Sequence, residues 1–145
     1  MAIFTERKSV LVDTDAFVAL RDTKDSNHKV ANKAANYLES VQARLFTSSF
    51  SFGEAITVIS QKLGLGTALA FIEKFPETEV VRIEVGDYLI EKGIRVFGRQ
   101  TSKNVSFTDC VNMAIMEEEG IEEIFSFDKV YKKNGFRRIG LDNYK

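Results

Sequence analysis

An α/β fold, with helices covering both faces of a parallel sheet, is expected from three features of the chain. Short unbroken apolar runs such as Val10-Leu11-Val12 suit strands buried on both faces better than half-exposed, alternating ones. These runs alternate with segments of helical periodicity, a pattern that calls for right-handed crossovers between parallel strands. The 145 residues are 44% hydrophobic and 28% charged with one proline, a composition in the ordinary globular range. A chain of this size buries roughly 68–70% of the surface it exposes when unfolded.

Val10-Leu11-Val12 is the first strand and ends at Asp13. Ala16 to Leu20 opens a short helix, and Ser26 is the expected N-cap of a second, with Val30, Ala34, Tyr37, Leu38 and Val41 at helical spacing. Arg44 to Thr47 forms the second strand. Ser49 or Ser51 starts a third helix carrying Phe52, Ile56, Ile59 and Leu63 on one face, and Gly64 and Gly66 end it. Gly66 to Phe75 is a further short helix stopped by Pro76, and Glu79 to Ile83 is the third strand. Tyr88 to Phe97 reads as helical. Thr108 is the expected N-cap of the next helix, whose apolar face is Cys110, Val111, Ala114 and Ile115 and whose end is Gly120. Ile124 to Phe127 is the fourth strand, and a last short one spans Arg138 to Leu141.

With no repeat and no Pro-, Gly- or Ser-rich linker, residues 1–145 are expected to form one domain. The lone Cys110 excludes an internal disulfide and a thiolate zinc site, and the lone His28 excludes any site needing two histidines. Apolar stretches reach only about five residues, so no membrane span is expected. The first eight residues lack the apolar run and small-residue cleavage site of a secretory signal, and a reducing cytoplasm is the expected location. The formal charge of −1 argues against a global electrostatic grip on nucleic acid but not against local basic stripes.

In open parallel sheets, ligands bind beyond the carboxyl ends of the strands, where the strand order reverses. Asp13 and Asp128 each follow a strand, and Glu54 and Asp109 sit in the first turns of helices, where the helix dipole favours negative charge. Four carboxylates in one crevice repel by about 3 kcal/mol per pair at 5 Å and an effective dielectric of 20. A cation relieves that repulsion. All-oxygen ligands without histidine or thiolate suit Mg²⁺ or Mn²⁺, and the matching chemistry is hydrolysis of a phosphodiester. Each acid also has an ordinary reading. Ser51 to Glu54 matches a capping box, Asp109 a first-turn charge and Asp128 a turn residue.

The run Val10 to Leu20, with Asp13-Thr14-Asp15 inside it, resembles the opening of PIN-domain proteins, particularly VapC-type toxins. In order along the chain, Asp25 to His28, Ser48 to Glu54, Ser106 to Asp109 and Phe125 to Asp128 resemble the family's later segments. The resemblance spans about residues 9 to 141. It implies a three-layer α/β/α sandwich with a mainly parallel central sheet and a metal-dependent endoribonuclease. It also implies that Asp13, Glu54, Asp109 and Asp128 are the acidic ligands of Mg²⁺ or Mn²⁺, with a metal-activated water attacking RNA. Ser126, and with it Thr14, would orient a carboxylate, and Asn112, one turn after Asp109, would line the same crevice. Asp15 departs from the family, which more often shows a small polar residue there. It is read either as an extra acid of the site or as a solvated loop carboxylate. Cys110 is read as a small buried hydrophobe and His28 as a residue of the helix start.

Lys92, Arg95, Arg99 and Lys103, with Lys129, Lys132, Lys133, Arg137 and Arg138 after Asp128, make a candidate track for RNA phosphates, or else solvated surface charge. Tyr131 and Phe136 are candidates for stacking on unpaired bases. Glu117 to Glu119 with Glu122 and Glu123 reads as a solvated acidic face. The resemblance to VapC toxins further implies a cognate antitoxin that blocks the acidic site, and a homodimer. The amphipathic helices before Pro76 are read either as a surface for one of these contacts or as intramolecular core. Two alternatives stand beside this reading. One is a catalytically silent PIN-like module that binds RNA or protein; the other, from Asp13-Thr14-Asp15, is a haloacid-dehalogenase-type phosphatase.

Overall fold

The computed structural model describes residues 6–142. The first five residues, on which part of the leaderless reading rests, and the last three of the expected 1–145 domain lie outside the described residues. Along the chain run β1 (Ser9–Val12), α1 (Thr14–Arg21), α2 (His28–Ser40), β2 (Arg44–Ser48), α3 (Ser49–Leu63), α4 (Leu65–Lys74) and a 3-10 turn at Phe75–Glu77. After them come β3 (Val81–Ile83), α5 (Asp87–Gly98), α6 (Phe107–Glu119), β4 (Glu123–Phe125), α7 (Lys129–Lys133) and β5 (Arg137–Arg138). The strands form one sheet in the order β3-β2-β1-β4-β5, and every neighbouring pair is parallel.

β1 is central because its side chains are apolar on both faces. Val10 and Val12 join Phe125 in a core with α1 to α4, while Leu11 and Ile124 join the opposite core with α5, α6 and α7. This is the expected α/β/α sandwich. The order reverses between β1 and β4, which pair Val10 with Glu123 and Val12 with Phe125, so their carboxyl ends open side by side. On the α5–α6 side the helices approach closely at Gly93, where a Cβ would lie 2.9 Å from Val111 Cγ2.

Several boundaries differ from expectation, each for a local reason. The N-cap of α3 is Ser48, whose Oγ accepts from the Ser51 N–H at 2.9 Å, not Ser49 or Ser51. The N-cap of α6 is Ser106, not Thr108. Ser106 Oγ accepts from the Asp109 N–H at 3.0 Å, and Asp109 Oδ2 accepts from the Ser106 N–H at 3.1 Å, so the capping box lies here and not at Ser51 to Glu54. Asn27, not Ser26, precedes α2. Gly64 ends α3 with φ +96°, whereas Gly66 lies inside α4. β4 stops at Phe125, and α7 is an element the sequence does not announce.

Candidate active site

Beyond the ends of β1 and β4 opens a cleft of about 370 Å³ lined by six carboxylates, Asp13, Asp15, Asp25, Glu54, Asp109 and Asp128, and one cation, Lys62. The four acids singled out from sequence are thus brought together, and Asp15 joins them. Asp13 and Asp128 arrive as the N-caps of α1 and α7, and Asp109 projects from the first turn of α6. Glu54 stands in the second turn of α3, not in the first turn expected of it, because the helix already begins at Ser49.

Asp13 is the most confined, only 5% exposed. Its Oδ1 accepts from the Thr14 N–H at 2.8 Å, Asn112 Nδ2 at 3.1 Å and Ser51 Oγ at 3.2 Å. Its Oδ2 accepts from Tyr131 OH at 2.9 Å and Ser126 Oγ at 3.1 Å. Burial nevertheless pushes the Asp13 carboxyl above its ordinary range, against the pull of these donors. Asp109 accepts from Tyr131 OH at 3.3 Å through the oxygen its capping box leaves over. Burial, with Asp13 and Asp128 nearby, pushes it up to about 6.

Ser126 Oγ shares its proton between Asp13 Oδ2 and Asp15 Oδ2, both at 3.1 Å, and accepts from the Asp128 N–H at 3.2 Å. Asp15 Oδ2 also accepts from the Phe127 N–H at 2.8 Å, whereas its Oδ1 is buried without a partner. Burial first, and Asp13 second, push Asp15 up to about 7. Thr14 Oγ1 lies 3.3 Å from Glu54 Oε2 and 3.2 Å from the Ser51 carbonyl oxygen. Asn112 is fully buried and ties the cluster together. It receives Ser48 Oγ at 2.7 Å and donates to Asp13, Ser51 and Tyr131.

Ser48, Ser51 and Tyr131 touch Asp13 or Asn112, and sequence reasoning missed all three as site residues. Tyr131 corrects an expectation, because it is fully buried and no base can stack on it; Phe136 is half-buried, with part of its ring packed against the α5–α6 core. The Ser106-x-x-Asp109 spacing is the signal that could have located the α6 cap. Ser48 and Tyr131 leave no comparable signature. Cys110 is fully buried, and burial pushes its thiol up to about 11, as suits an inert core residue. The His28 ring is held by the Ala19 carbonyl at 2.7 Å and Asn32 at 3.1 Å and does not line the cleft.

The acidic run is not one solvated face. Glu117 pairs with Arg99 at 3.0 Å, Glu118 with Lys92, and Glu122 with Arg137 at 3.2 Å. Glu123 is buried in β4 and pairs with Lys8 at 3.0 Å. Of the candidate phosphate track, Arg99, Lys129 and Lys133 line a second cavity beside the cleft. Lys132 turns to Asp142 at 3.8 Å, and Arg95 and Lys103 line neither opening.

The donor set suits a hard divalent ion. Every candidate ligand is an oxygen, negative charge outweighs positive in the lining, and Asp15 Oδ1 is a buried oxygen without a donor. As the side chains stand, no three His, Cys, Asp or Glu residues among those described are close enough to hold an ion. Among the described residues, no helix is long and apolar enough to cross a membrane.

The chain is 29% identical over 131 residues to the 23S rRNA-specific endonuclease VapC20 of Mycobacterium tuberculosis, covering 90% of this chain and 97% of that protein. The crystal structure of VapC20, described as a sarcin–ricin loop cleaving toxin, superposes with a TM-score of 0.79 at 25% identity over 90% of this chain and 98% of that one. The DNA-bound VapBC structure from Salmonella typhimurium shares the fold, with a TM-score of 0.59 at 15% identity over 92% and 97% of the two chains. The PIN domain description itself matches residues 10–137, from the first residue of the central strand's apolar run to β5. The phosphatase alternative falls with that match, for the acids at the β1–β4 switch point are carried by a chain that belongs to the PIN domain family.

Proposed function

We propose that the protein is a divalent-metal-dependent endoribonuclease acting as the toxin of a toxin–antitoxin pair. The observation that carries this reading is the gathering of Asp13, Glu54, Asp109 and Asp128 from four elements around one cleft. The near full-length similarity to VapC20 supports RNA as the substrate and makes 23S rRNA the first target to try. Asp13, Asp109, Asp128 and Glu54 are the residues that would hold Mg²⁺ or Mn²⁺. Such an ion supplies a water of lowered pKa and neutralises charge on the attacked phosphate.

The chain's own residues prepare that chemistry. Ser51, Asn112, Ser126 and Tyr131 fix both oxygens of Asp13, and the capping box fixes Asp109. Thr14 steadies Glu54, and Asp128 is tied at its backbone to Ser126. Asp15, with one oxygen unoccupied, serves as an extra acid of the site rather than a solvated loop carboxylate. A partner protein that covers the cleft, a homodimer, and residence in the cytoplasm beside RNA complete the proposal. The toxin description of VapC20 supports the partner, and the exposed Leu65, Leu69 and Ile72 of α4 support a protein contact before Pro76.

The test is time-resolved cleavage of ribosomal and mixed-sequence RNA by purified, partner-free protein with Mg²⁺ or Mn²⁺. Cleavage that disappears with EDTA and in Asp109→Asn is the expected result. Folded protein that leaves every RNA intact overturns the reading in favour of the silent binding module.

A further inference from the structure

The second cavity adjoins the acidic cleft and shares Asn104 and Asp128 with it. It has a volume of about 260 Å³ and lies between the C-terminal end of α5, the loop of residues 100–105, and α7. Its charge is opposite to that of its neighbour. Arg99, Lys129 and Lys133 line it against the single acid Asp128, and the remaining polar lining is hydroxyl and amide. Lys129 and Lys133, four residues apart on α7, lie on one side of that helix and pair with no acid among the described residues. Arg99 is held by Glu117, but both side chains are largely exposed, and such a pair is weak enough for a phosphate to compete.

Two further properties narrow the ligand. The lining contains no aromatic side chain, so nothing there offers a base a stacking surface. The volume lies below the range of pockets that enclose drug-sized molecules, which leaves room for about one sugar–phosphate unit. Cations, amides and hydroxyls are the groups that bind phosphate oxygens and ribose hydroxyls without reading sequence.

We infer that this cavity seats the sugar–phosphate unit next to the linkage lying in the acidic cleft, through Lys129, Lys133 and Arg99 and independently of the base. The inference rests on the ribonuclease reading for its placement. The seat explains how an acidic cleft on a chain of net charge −1 engages a polyanion: the strand is gripped next door and laid across Asp128.

The experiment compares wild type, Lys129→Gln/Lys133→Gln, Lys129→Arg/Lys133→Arg, and a control, Lys33→Gln/Lys74→Gln, whose residues line neither opening. Binding is measured in EDTA against a 12-nucleotide mixed-sequence RNA and an abasic ribose–phosphate oligomer of equal length. The glutamine pair is expected to weaken both ligands at least tenfold, the arginine pair to restore both, and the control to change neither. The slope of log affinity against log salt should flatten by about 0.7 for each phosphate that the protein no longer neutralises. Unchanged affinity, a loss confined to the ligand with bases, an equal loss in the control, or no binding by wild type each overturns the seat. Cleavage by wild type separates the two ideas. Normal cleavage with unaltered binding in the glutamine pair removes the seat alone, whereas the expected binding pattern without cleavage removes the ribonuclease reading alone.

Discussion

The Tyr131 hydroxyl touches Asp13 at 2.9 Å and Asp109 at 3.3 Å, and it accepts from Asn112 at 3.1 Å. Tyr131→Phe keeps the ring in its core and leaves three buried polar groups one partner short. We expect a loss of about 1–3 kcal/mol in thermal or urea unfolding, and a fall of roughly 10–100-fold in divalent-ion affinity, read by calorimetry. Asp15 carries a different signature. Its carboxyl is pushed up to about 7 from 3.8, so the folded, ion-free protein binds a proton there more tightly than the unfolded chain. The stability from that proton is full below about pH 3.8 and is lost as the pH rises through about 7. Asp15→Asn should therefore stabilise the protein in EDTA more at pH 8 than at pH 5, by about 3 kcal/mol at most, read as a larger rise in melting temperature at pH 8. An equal gain at both values would sink this account. The residues that report on the site divide accordingly. Asp13, Asp109 and Asp128 were legible because strand ends and helix starts have sequence signatures, whereas Glu54, one turn inside α3, was placed only by the order of short motifs along the chain. Tyr131 was not, because a single aromatic beside Lys132 and Lys133 carries no sign of which way it faces.

Helix α5 lies against α6 at Gly93, and α6 carries both Asp109 and Asn112. Gly93→Ala gains about 1 kcal/mol of helix propensity but forces a methyl onto the branched side chain of Val111, and overpacking costs about 1–3 kcal/mol. The expected outcome is a melting temperature a few degrees lower, and a higher one would show that α5 can move away freely. The elements themselves were largely readable. β1, β2, α3 and α6 combine clear periodicity with turn signals, and the structure moves their ends by only one or two residues. The caps were less readable because Ser48, Ser49 and Ser51 are all competent and only backbone geometry selects among them. The five-residue α7 escaped notice because one turn and a half is too short to show a period.

At the scale of the molecule, two cores sandwich one sheet, and β1 contributes to both. We therefore expect a single cooperative unfolding transition, supporting one domain over the whole chain; two separable transitions would argue for independent units. The exposed Leu65 and Leu69 of α4 belong to the same scale. Light scattering of purified protein should give twice the 16.4 kDa of one chain, and Leu65→Lys/Leu69→Lys should return it to the monomer mass. A monomer at the outset removes the homodimer from the proposal.

Asp13 lies 99 positions from Asn112 and 118 from Tyr131, its partners in the cleft. Synthesis runs in one direction, so a nascent chain already carrying Asp13, Glu54 and Asp109 still lacks Ser126, Asp128 and Tyr131, together with β4, which must lie beside β1. The cutting centre is consequently a late product of translation. On the ribonuclease reading, no RNA beside the site of synthesis is cut until the chain has grown past Tyr131, and a partner protein has that interval in which to arrive.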